Sequence, residues 1–450
     1  MSTVNGIRTL NGSFKKALIL ENPDASLDDY LRRQGIEPQR LPKSMTQDVG
    51  AVLDVLRQGQ HDLIYKRSRF IVDEEVLQAS QKLAGIMLCC IGDDSVDKEA
   101  CARHGVLVTN DPISNARSVV ELVFGEMLCL ARRIFDANDK IHSNVWTKNN
   151  TARYEIKGKT LGILGLGNIG KQVAQMGEAF GMKILFFDDS ELSKEVGQTL
   201  GWTLCGSIDE LFEQSDFLTI HVSAENSRGQ TNLNMLNYGH FSKLGAARGE
   251  NSPRILINAG RGFLFEPDEL KRAIADESVK FAAIDVFPEE PGSGSDSWHN
   301  PYAELPEVIA TPHIGAATQE AQPRIASYVA GTTRLFDCFG TMRSCVYSPG
   351  KIIGVNDAQS ASHILCVVHS DKRGTKKAIN DAIFDAGRNN IQSSHRDFPK
   401  YGIAYDVSAM DAALTDAQIA ALIESARKIS GDPTAIRSVR QIEVTPCPGT

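Results

Sequence analysis

Residues 161–170 read LGILGLGNIG and place Gly165, Gly167 and Gly170 in the spacing Gly-x-Gly-x-x-Gly. Alone, such a triplet is weak evidence. Here it follows an apolar run that reads as a strand and opens a helical stretch over 171–180. A second run, KILFF, then ends in Asp188, 23 residues beyond Gly165. A dinucleotide needs this context: glycines let the backbone approach a pyrophosphate, whose charge the helix N-terminus stabilises. Asp188 would accept hydrogen bonds from the adenosine ribose and repel a 2′-phosphate, so NAD is expected over NADP. Asp189 is the neighbouring candidate, and a one-residue slip would exchange the two.

Four polar residues follow later apolar runs at their carboxyl ends: His221 after FLTIHV, Arg261 after ILINAGRG, Glu290 after AAIDVFPEEP and His313 after VIATPHIG. In open α/β sheets, ligands bind outside those strand ends. Oxidation of an alcohol by NAD needs a base for the hydroxyl proton, and imidazole titrates near neutral pH. A carboxylate on the ring would orient it, and an arginine would hold a substrate carboxylate through paired hydrogen bonds. His313, Glu290 and Arg261 supply one of each. His221 reads as lining the cofactor pocket or capping a strand, not as catalytic.

The elements that must carry these residues follow from hydrophobic periodicity. Short apolar runs alternate with amphipathic stretches from about residue 15 to 315, the pattern of a parallel α/β sheet. The runs begin at Ala17–Leu20 and end at Val308–Ala310, about ten in all. A doubly wound unit holds about six, so two units are expected. Between them Ser118–Arg133 is apolar on nearly every turn, a long buried helix or a subunit contact. Gly245–Ser252 and Pro291–Ser297 read as surface loops. After residue 350 the order is strand, helix, strand, strand, helix, strand, the βαββαβ of a ferredoxin-like domain, with Thr415 opening the second helix.

Composition narrows the class. The 450 residues, 42% hydrophobic and 23% charged, are those of an ordinary globular chain, not a disordered or fibrous one. Forty-eight basic against 56 acidic residues leave a net −8, which disfavours nucleic acid as a partner. Nine cysteines, with Cys89 and Cys90 adjacent and no CxxC, read as buried reduced thiols. No Cys/His cluster supplies metal ligands, so no metal is expected and a zinc alcohol dehydrogenase is disfavoured. The N-terminus lacks the apolar core of a secretory signal, and the longest apolar run is too short to span a membrane, so the expected location is cytoplasmic.

The segments LGLGNIG, HVSAENS, INAGRG, AAIDVFPEEP and TPHIGAATQEA resemble, in content and order, those of the D-isomer-specific 2-hydroxyacid dehydrogenases. Arg67-Ser68-Arg69, the run Asn110–Glu121, Val145-Trp146 and the C-terminal ferredoxin-like unit are similar to members acting on a phosphorylated substrate. The resemblance implies a Rossmann NAD domain (114–315) inserted in a flavodoxin-like substrate domain (1–113 and 316–345), with an ACT-like domain at 351–450. Closure of the first two over NAD would exclude water from the hydride path. It assigns His313 as acid/base, Glu290 as its partner and Arg261 as carboxylate binder. Cofactor contacts map onto Gly165, Gly167, Asn168, Ile169, Gly170, Asp188, Ala259, Gly260, Arg261, Asp285, His313, Ile314, Gly315 and Ala316. Arg67, Ser68, Arg69 and Asn115 map onto the substrate site, where guanidinium groups suit a phosphate.

The implied reaction is NAD-dependent oxidation of 3-phospho-D-glycerate to 3-phosphohydroxypyruvate, which opens L-serine synthesis, by a homodimer or homotetramer. The ACT-like unit departs from the family's serine-sensing pattern: His369 and Asn389 match, but Asp371 stands where an amide is usual and Arg373 where a proline is. A carboxylate cannot donate amide hydrogen bonds and repels an amino acid's carboxylate, so weak or absent serine inhibition is expected. Two other readings remain open: a relative reducing glyoxylate, hydroxypyruvate or 2-oxoglutarate, and an NAD-sensing protein-binding module like the corepressors of this fold. The ferredoxin-like unit argues against the second.

Overall fold

Strands buried on both faces must be apolar throughout, and the short runs that satisfy this condition form two parallel sheets. The computed structural model describes residues 7–291, 298–355 and 361–444. The chain divides into two compact units, Asn115–Ala321 and a discontinuous one of Met1–Ser114 with Gln322–Thr450.

In the unit Asn115–Ala321, seven parallel strands lie in the order Val308–Ala310, Phe281–Ile284, Ile255–Asn258, Phe217–Ile220, Thr160–Leu164, Lys183–Phe187, Thr203–Leu204. Chain direction across the sheet reverses between Thr160–Leu164 and Phe217–Ile220, the switch point of a Rossmann sheet. The long helix forms over Ala116–Arg132. Its residues Val119, Val123, Phe124, Met127 and Leu130 pack on one face of the sheet, with Ile163, Ile257 and Ala283 in the same core. Most of Ser118–Arg133 is therefore consumed by core packing. The next segment leaves several apolar side chains exposed: Ile134, Phe135, Ile141, Val145 and Trp146, the last 83% exposed. Of the loop expected at Pro291–Ser297, residues 292–297 lie outside the described residues.

Among its described residues the discontinuous unit holds two five-stranded sheets and the short antiparallel pairing of Met342–Arg343 with Ile352–Ile353. The first is parallel, in the order Glu37–Arg40, Lys16–Ile19, Leu63–Lys66, Gly85–Leu88, Leu107–Thr109, a flavodoxin-like 2-1-3-4-5. Glu37–Arg40 was not foreseen, because an edge strand needs little apolar surface and tolerates Pro38. The second contains the expected βαββαβ unit: His363–Ser370, helix Thr375–Asp385, Asn390–Phe398, Ile403–Met410, helix Asp416–Ser430, Ile436–Glu443. Thr415 caps the second helix in a capping box with Gln418.

One boundary needs correction. Residues 1–113 were expected to begin the substrate-domain sheet, but Arg8–Asn11 pairs in parallel with Ile436–Glu443 as a fifth strand of the C-terminal sheet. Further contacts join the two parts of this unit. Buried Arg440 meets Asp337 at 2.6 Å, stacks 3.7 Å from the Phe14 ring centre and donates to the Phe336 and Gly12 carbonyls. Asp337 also accepts from the Phe14 N–H at 2.7 Å. Such a desolvated pair holds only with its hydrogen bonds complete, and removing one partner typically costs ~3–5 kcal/mol.

Among the described residues seven cysteines are free, including buried Cys89, Cys101, Cys205, Cys345 and Cys366, while Cys338 is disulfide-bonded. The reading of all nine as reduced is corrected for Cys338. Among the described residues no helix is long and apolar enough to cross a membrane.

Candidate functional site

The dinucleotide loop starts where the strand Thr160–Leu164 ends, at the switch point. Gly165 has φ +94°, and a Cβ there would come within 2.8 Å of the His221 carbonyl carbon. At Gly170 a Cβ would meet the Gly165 carbonyl oxygen at 2.1 Å, so both positions require glycine. Gly167 differs: a Cβ would meet nothing within 4 Å. It lies exposed at the N-terminus of helix Asn168–Ala179, leaving the approach to the first amides of Asn168 and Ile169 clear. That is the cradle a pyrophosphate requires. Asp188 accepts from the Leu166 N–H at 2.6 Å and the Ser190 N–H at 2.8 Å, so it ties the glycine loop to the next strand. Asp189 is turned away, accepting from the Ser227 N–H and hydroxyl at 2.8 Å. Of the two neighbours, Asp188 is the one joined to the glycine loop.

His221 donates its backbone N–H to the Leu164 carbonyl at 2.7 Å, and its Nε2 lies 2.8 Å from Thr219 Oγ1. Burial pushes its pKa down to about 3, so the ring is neutral and serves as packing behind the glycine loop.

At the ends of the next strands the polar residues converge. Ile255–Asn258 delivers Ala259, Gly260 and Arg261. Asn258, fully buried, accepts from the Gly260 N–H at 3.1 Å and donates to the Arg261 carbonyl at 3.0 Å, clamping the turn. Arg261 Nη1 donates to the Gly260 carbonyl at 3.0 Å. Beyond Phe281–Ile284, Asp285 accepts from the Ile314 N–H at 2.8 Å, the Gly315 N–H at 2.9 Å and Thr311 Oγ1 at 2.6 Å. These bonds fix the turn that holds His313 at φ +55°, a conformation costing a β-carbon residue ~1–2 kcal/mol. His313 Nδ1 lies 2.7 Å from Glu290 Oε2, and Glu290 Oε1 accepts from the Phe287 N–H at 3.3 Å. A carboxylate can only accept, so Nδ1 carries the proton and Nε2 presents its lone pair outward. This arrangement can accept a proton at Nε2 and stabilise the resulting imidazolium.

Glu126, on the long helix, escaped the sequence reading because it sits within an apolar pattern. It is buried, and desolvation, then the Asp285 charge, push its pKa up to about 8. Thr311 Oγ1 is 3.3 Å from Glu126 Oε1 and 2.6 Å from Asp285 Oδ1. The single hydroxyl proton goes to the shorter contact, and neutral Glu126 supplies the other. The helix is thereby hydrogen-bonded to the turn that carries His313.

The remaining candidates lie in the discontinuous unit, except Asn115, which precedes the long helix with its Oδ1 buried. Arg67, Ser68 and Arg69 follow the strand Leu63–Lys66. Glu21, another residue missed from sequence, accepts from the N–H groups of Arg67 at 2.7 Å, Arg69 at 2.6 Å and Phe70 at 2.9 Å. Its carboxylate fixes the backbone of that loop. In the C-terminal sheet the three regulatory candidates do not converge within one chain. On the strand Ile403–Met410, His369 faces Ala404 and Asn390 faces Met410, six residues apart or roughly 20 Å. Asp371 is exposed, and the Asn389 N–H donates to Asp411.

Residues 124–315 match the family model described as D-isomer specific 2-hydroxyacid dehydrogenase, NAD binding domain. D-3-phosphoglycerate dehydrogenase of Escherichia coli K12 is 36% identical over 327 residues, 72% of this chain and 74% of that one. The protein of the same name from Haemophilus influenzae is 34% identical, covering 80% and 84%. Among solved structures, D-lactate dehydrogenase from Aquifex aeolicus, complexed with NAD and lactic acid, aligns with a TM-score of 0.59 and 26% identity, over 71% of this chain and 95% of that one.

Proposed function

Because the chain belongs to the D-isomer-specific 2-hydroxyacid dehydrogenase family, we propose that it oxidises 3-phospho-D-glycerate to 3-phosphohydroxypyruvate with NAD, the opening step of L-serine synthesis. The observation that carries the mechanism is the His313–Glu290 pair at a strand end, held by Asp285 in the same sheet as the glycine loop. Gly165–Gly170, Asp188, Ala259–Arg261, Asp285 and His313–Ala316 would hold NAD, which would supply the hydride acceptor.

His313 takes the substrate hydroxyl proton at Nε2, because Nδ1 is committed to Glu290. The imidazolium so formed gains a charge-assisted hydrogen bond from that carboxylate, which lowers the barrier where positive charge develops. Arg261 holds the substrate carboxylate, and Arg67 and Arg69, with Ser68 and Asn115, hold the phosphate. The preorganised 67–70 loop supports the phosphate role, since a ligand then pays little to order it. The division of the chain supports a substrate-binding part assembled from segments on either side of the NAD unit in the sequence. The C-terminal βαββαβ sheet is read as an ACT-like domain.

With this function go a cytoplasmic location and assembly as a homodimer or homotetramer. The exposed apolar side chains at Ile134, Phe135, Ile141, Val145 and Trp146 support a second copy packing there.

The test is the initial rate of NADH oxidation with 3-phosphohydroxypyruvate beside hydroxypyruvate, glyoxylate and 2-oxoglutarate. A strong preference for the phosphorylated acid is expected. Equal or better rates with unphosphorylated acids would keep the hydride chemistry but reassign the substrate. No rate with any of them would favour an NAD-sensing binding module.

A further inference from the structure

On the helix-covered face of the C-terminal sheet, three adjacent strands each contribute one side chain to a single point. The strands Asn390–Phe398, Ile403–Met410 and His363–Ser370 are neighbours in that order. His395 lies directly opposite Asp406, and His369 stands one step along the next strand, opposite Ala404. The register with Ile436–Glu443 shifts at Val368/His369, an irregularity of the kind that re-aims a side chain. The ligating atoms of His369, His395 and Asp406 all lie within 4.8 Å of one another. The two imidazole rings are nearly parallel, 5.4 Å apart.

The decisive feature is His369. It is 1% exposed, and its Nδ1 lies 2.7 Å from the Ser370 carbonyl. A carbonyl only accepts, so Nδ1 holds the proton and Nε2 holds a lone pair. That Nε2 is buried and has no hydrogen-bond partner among the described residues. An orphaned acceptor in the interior is costly, and one on a ring grouped with another histidine and a carboxylate calls for a bound group. An imidazole whose Nδ1–H is pinned to a backbone carbonyl is also the form in which metal-binding histidines are held. Asp406, fully buried, accepts from His395 Nδ1 at 3.2 Å and from Ser408 Oγ at 3.1 Å, and pairs with Lys376 of helix Thr375–Asp385; His395 Nε2 lies 2.9 Å from Asp397 Oδ1, so a metal ion would replace the proton on Nδ1. Lys376 is the flexible member of the group, and its side chain is 30% exposed. A cation of higher charge would displace its ammonium group into water.

We infer that His369, His395 and Asp406 bind one divalent transition-metal ion in the C-terminal domain. Two imidazole nitrogens with one carboxylate oxygen favour Zn²⁺, Ni²⁺ or Co²⁺ over Mg²⁺ or Ca²⁺, which prefer all-oxygen shells. Metal–ligand bonds of about 2.0–2.2 Å set ligand atoms roughly 3.3 Å apart, so the site closes by side-chain movements of about an ångström. Water fills the remaining positions. The ion would clip the edge strand Asn390–Phe398 to the centre of the sheet.

The experiment uses the full-length, tag-free chain, stripped with a chelator and exchanged into metal-free buffer. Cobalt chloride is titrated in while the visible absorption of bound Co²⁺ is followed, and Zn²⁺ is then used to displace it. Expected are about one ion per chain and a rise in Tm with added Zn²⁺, with binding weakened at least tenfold in His369→Ala and in His395→Gln. The second variant lies on the solvent-exposed edge strand and keeps the test open should the first fail to fold, which circular dichroism reports. Binding of much less than one ion per chain, or binding and a Zn²⁺-dependent Tm rise unchanged in a folded His395→Gln variant, would overturn the proposal.

Discussion

His313 and His395 each face a carboxylate, Glu290 at 2.7 Å and Asp406 at 3.2 Å, yet their surroundings send them to different chemistry. Around His313 the backbone is strained, the pair is part-exposed, and its partners come from successive strand ends of one parallel sheet. One nitrogen is engaged and the other is left facing outward, as proton transfer to a substrate requires. Around His395 the carboxylate is completely buried and shared with Lys376, and a second histidine presents a lone pair to the same point. Several donors converge there on one spot from neighbouring strands. A histidine–carboxylate contact therefore does not define a function; the number of converging lone pairs and the direction of the free one do.

Four measurements would break or sharpen that contrast. The largest effect is expected for His313→Ala, which removes the proton acceptor and should lower kcat by about 10³-fold or more, with Tm nearly unchanged. Substantial turnover in that variant would end the acid–base role. Glu290→Gln keeps the shape but loses the charge that stabilises the imidazolium. A fall in kcat of about 10²-fold is expected, with KM little altered, in steady-state kinetics.

Arg67→Ala and Arg69→Ala should each raise KM for the phosphorylated acid by about 10-fold and leave the rate with hydroxypyruvate almost untouched. An equal loss on both substrates would point to damage of the Glu21-held loop instead.

The smallest effect concerns Glu126. Its carboxyl titrates at about 8 in the folded chain, above the ordinary carboxyl range, because burial disfavours the charge. The folded state then binds more protons than the unfolded one between about pH 4.5 and pH 8. The contribution of this group to stability is complete below that window, falls as pH rises through it and levels off above. Glu126→Gln keeps a donor for Thr311 without titrating. The Tm difference between variant and parent should move by several degrees in favour of the variant from pH 6 to pH 9, by calorimetry. A difference constant with pH would place the proton elsewhere.

Residues 161–188, Arg261, Glu290 and His313 were legible because each is fixed by local sequence. A glycine triplet between strand and helix, or a charged residue just after an apolar run, predicts its own position at a strand end. The βαββαβ order was legible for the same reason, since periodicity reports which face of each element is buried. Arg8–Asn11 was not legible, because its place depends on a partner strand more than 400 residues away. Glu21 and Glu126 were missed because each acts through backbone or hydroxyl groups far along the chain, and neither has a neighbour that marks it.

The sequence by itself determined the two parallel sheets and placed the glycine loop, Glu290 and His313 after strand ends, since hydrophobic periodicity and strand-end spacing are properties of short segments. It also narrowed the ribose-binding acid to Asp188 or Asp189. Only the tertiary structure tied Asp188 to the glycine loop and Asp189 to Ser227, joined the N-terminal strand to the C-terminal sheet and brought His369, His395 and Asp406 together. Those outcomes depend on strand register and on which hydrogen bonds are already taken, and both are set only when distant segments pack.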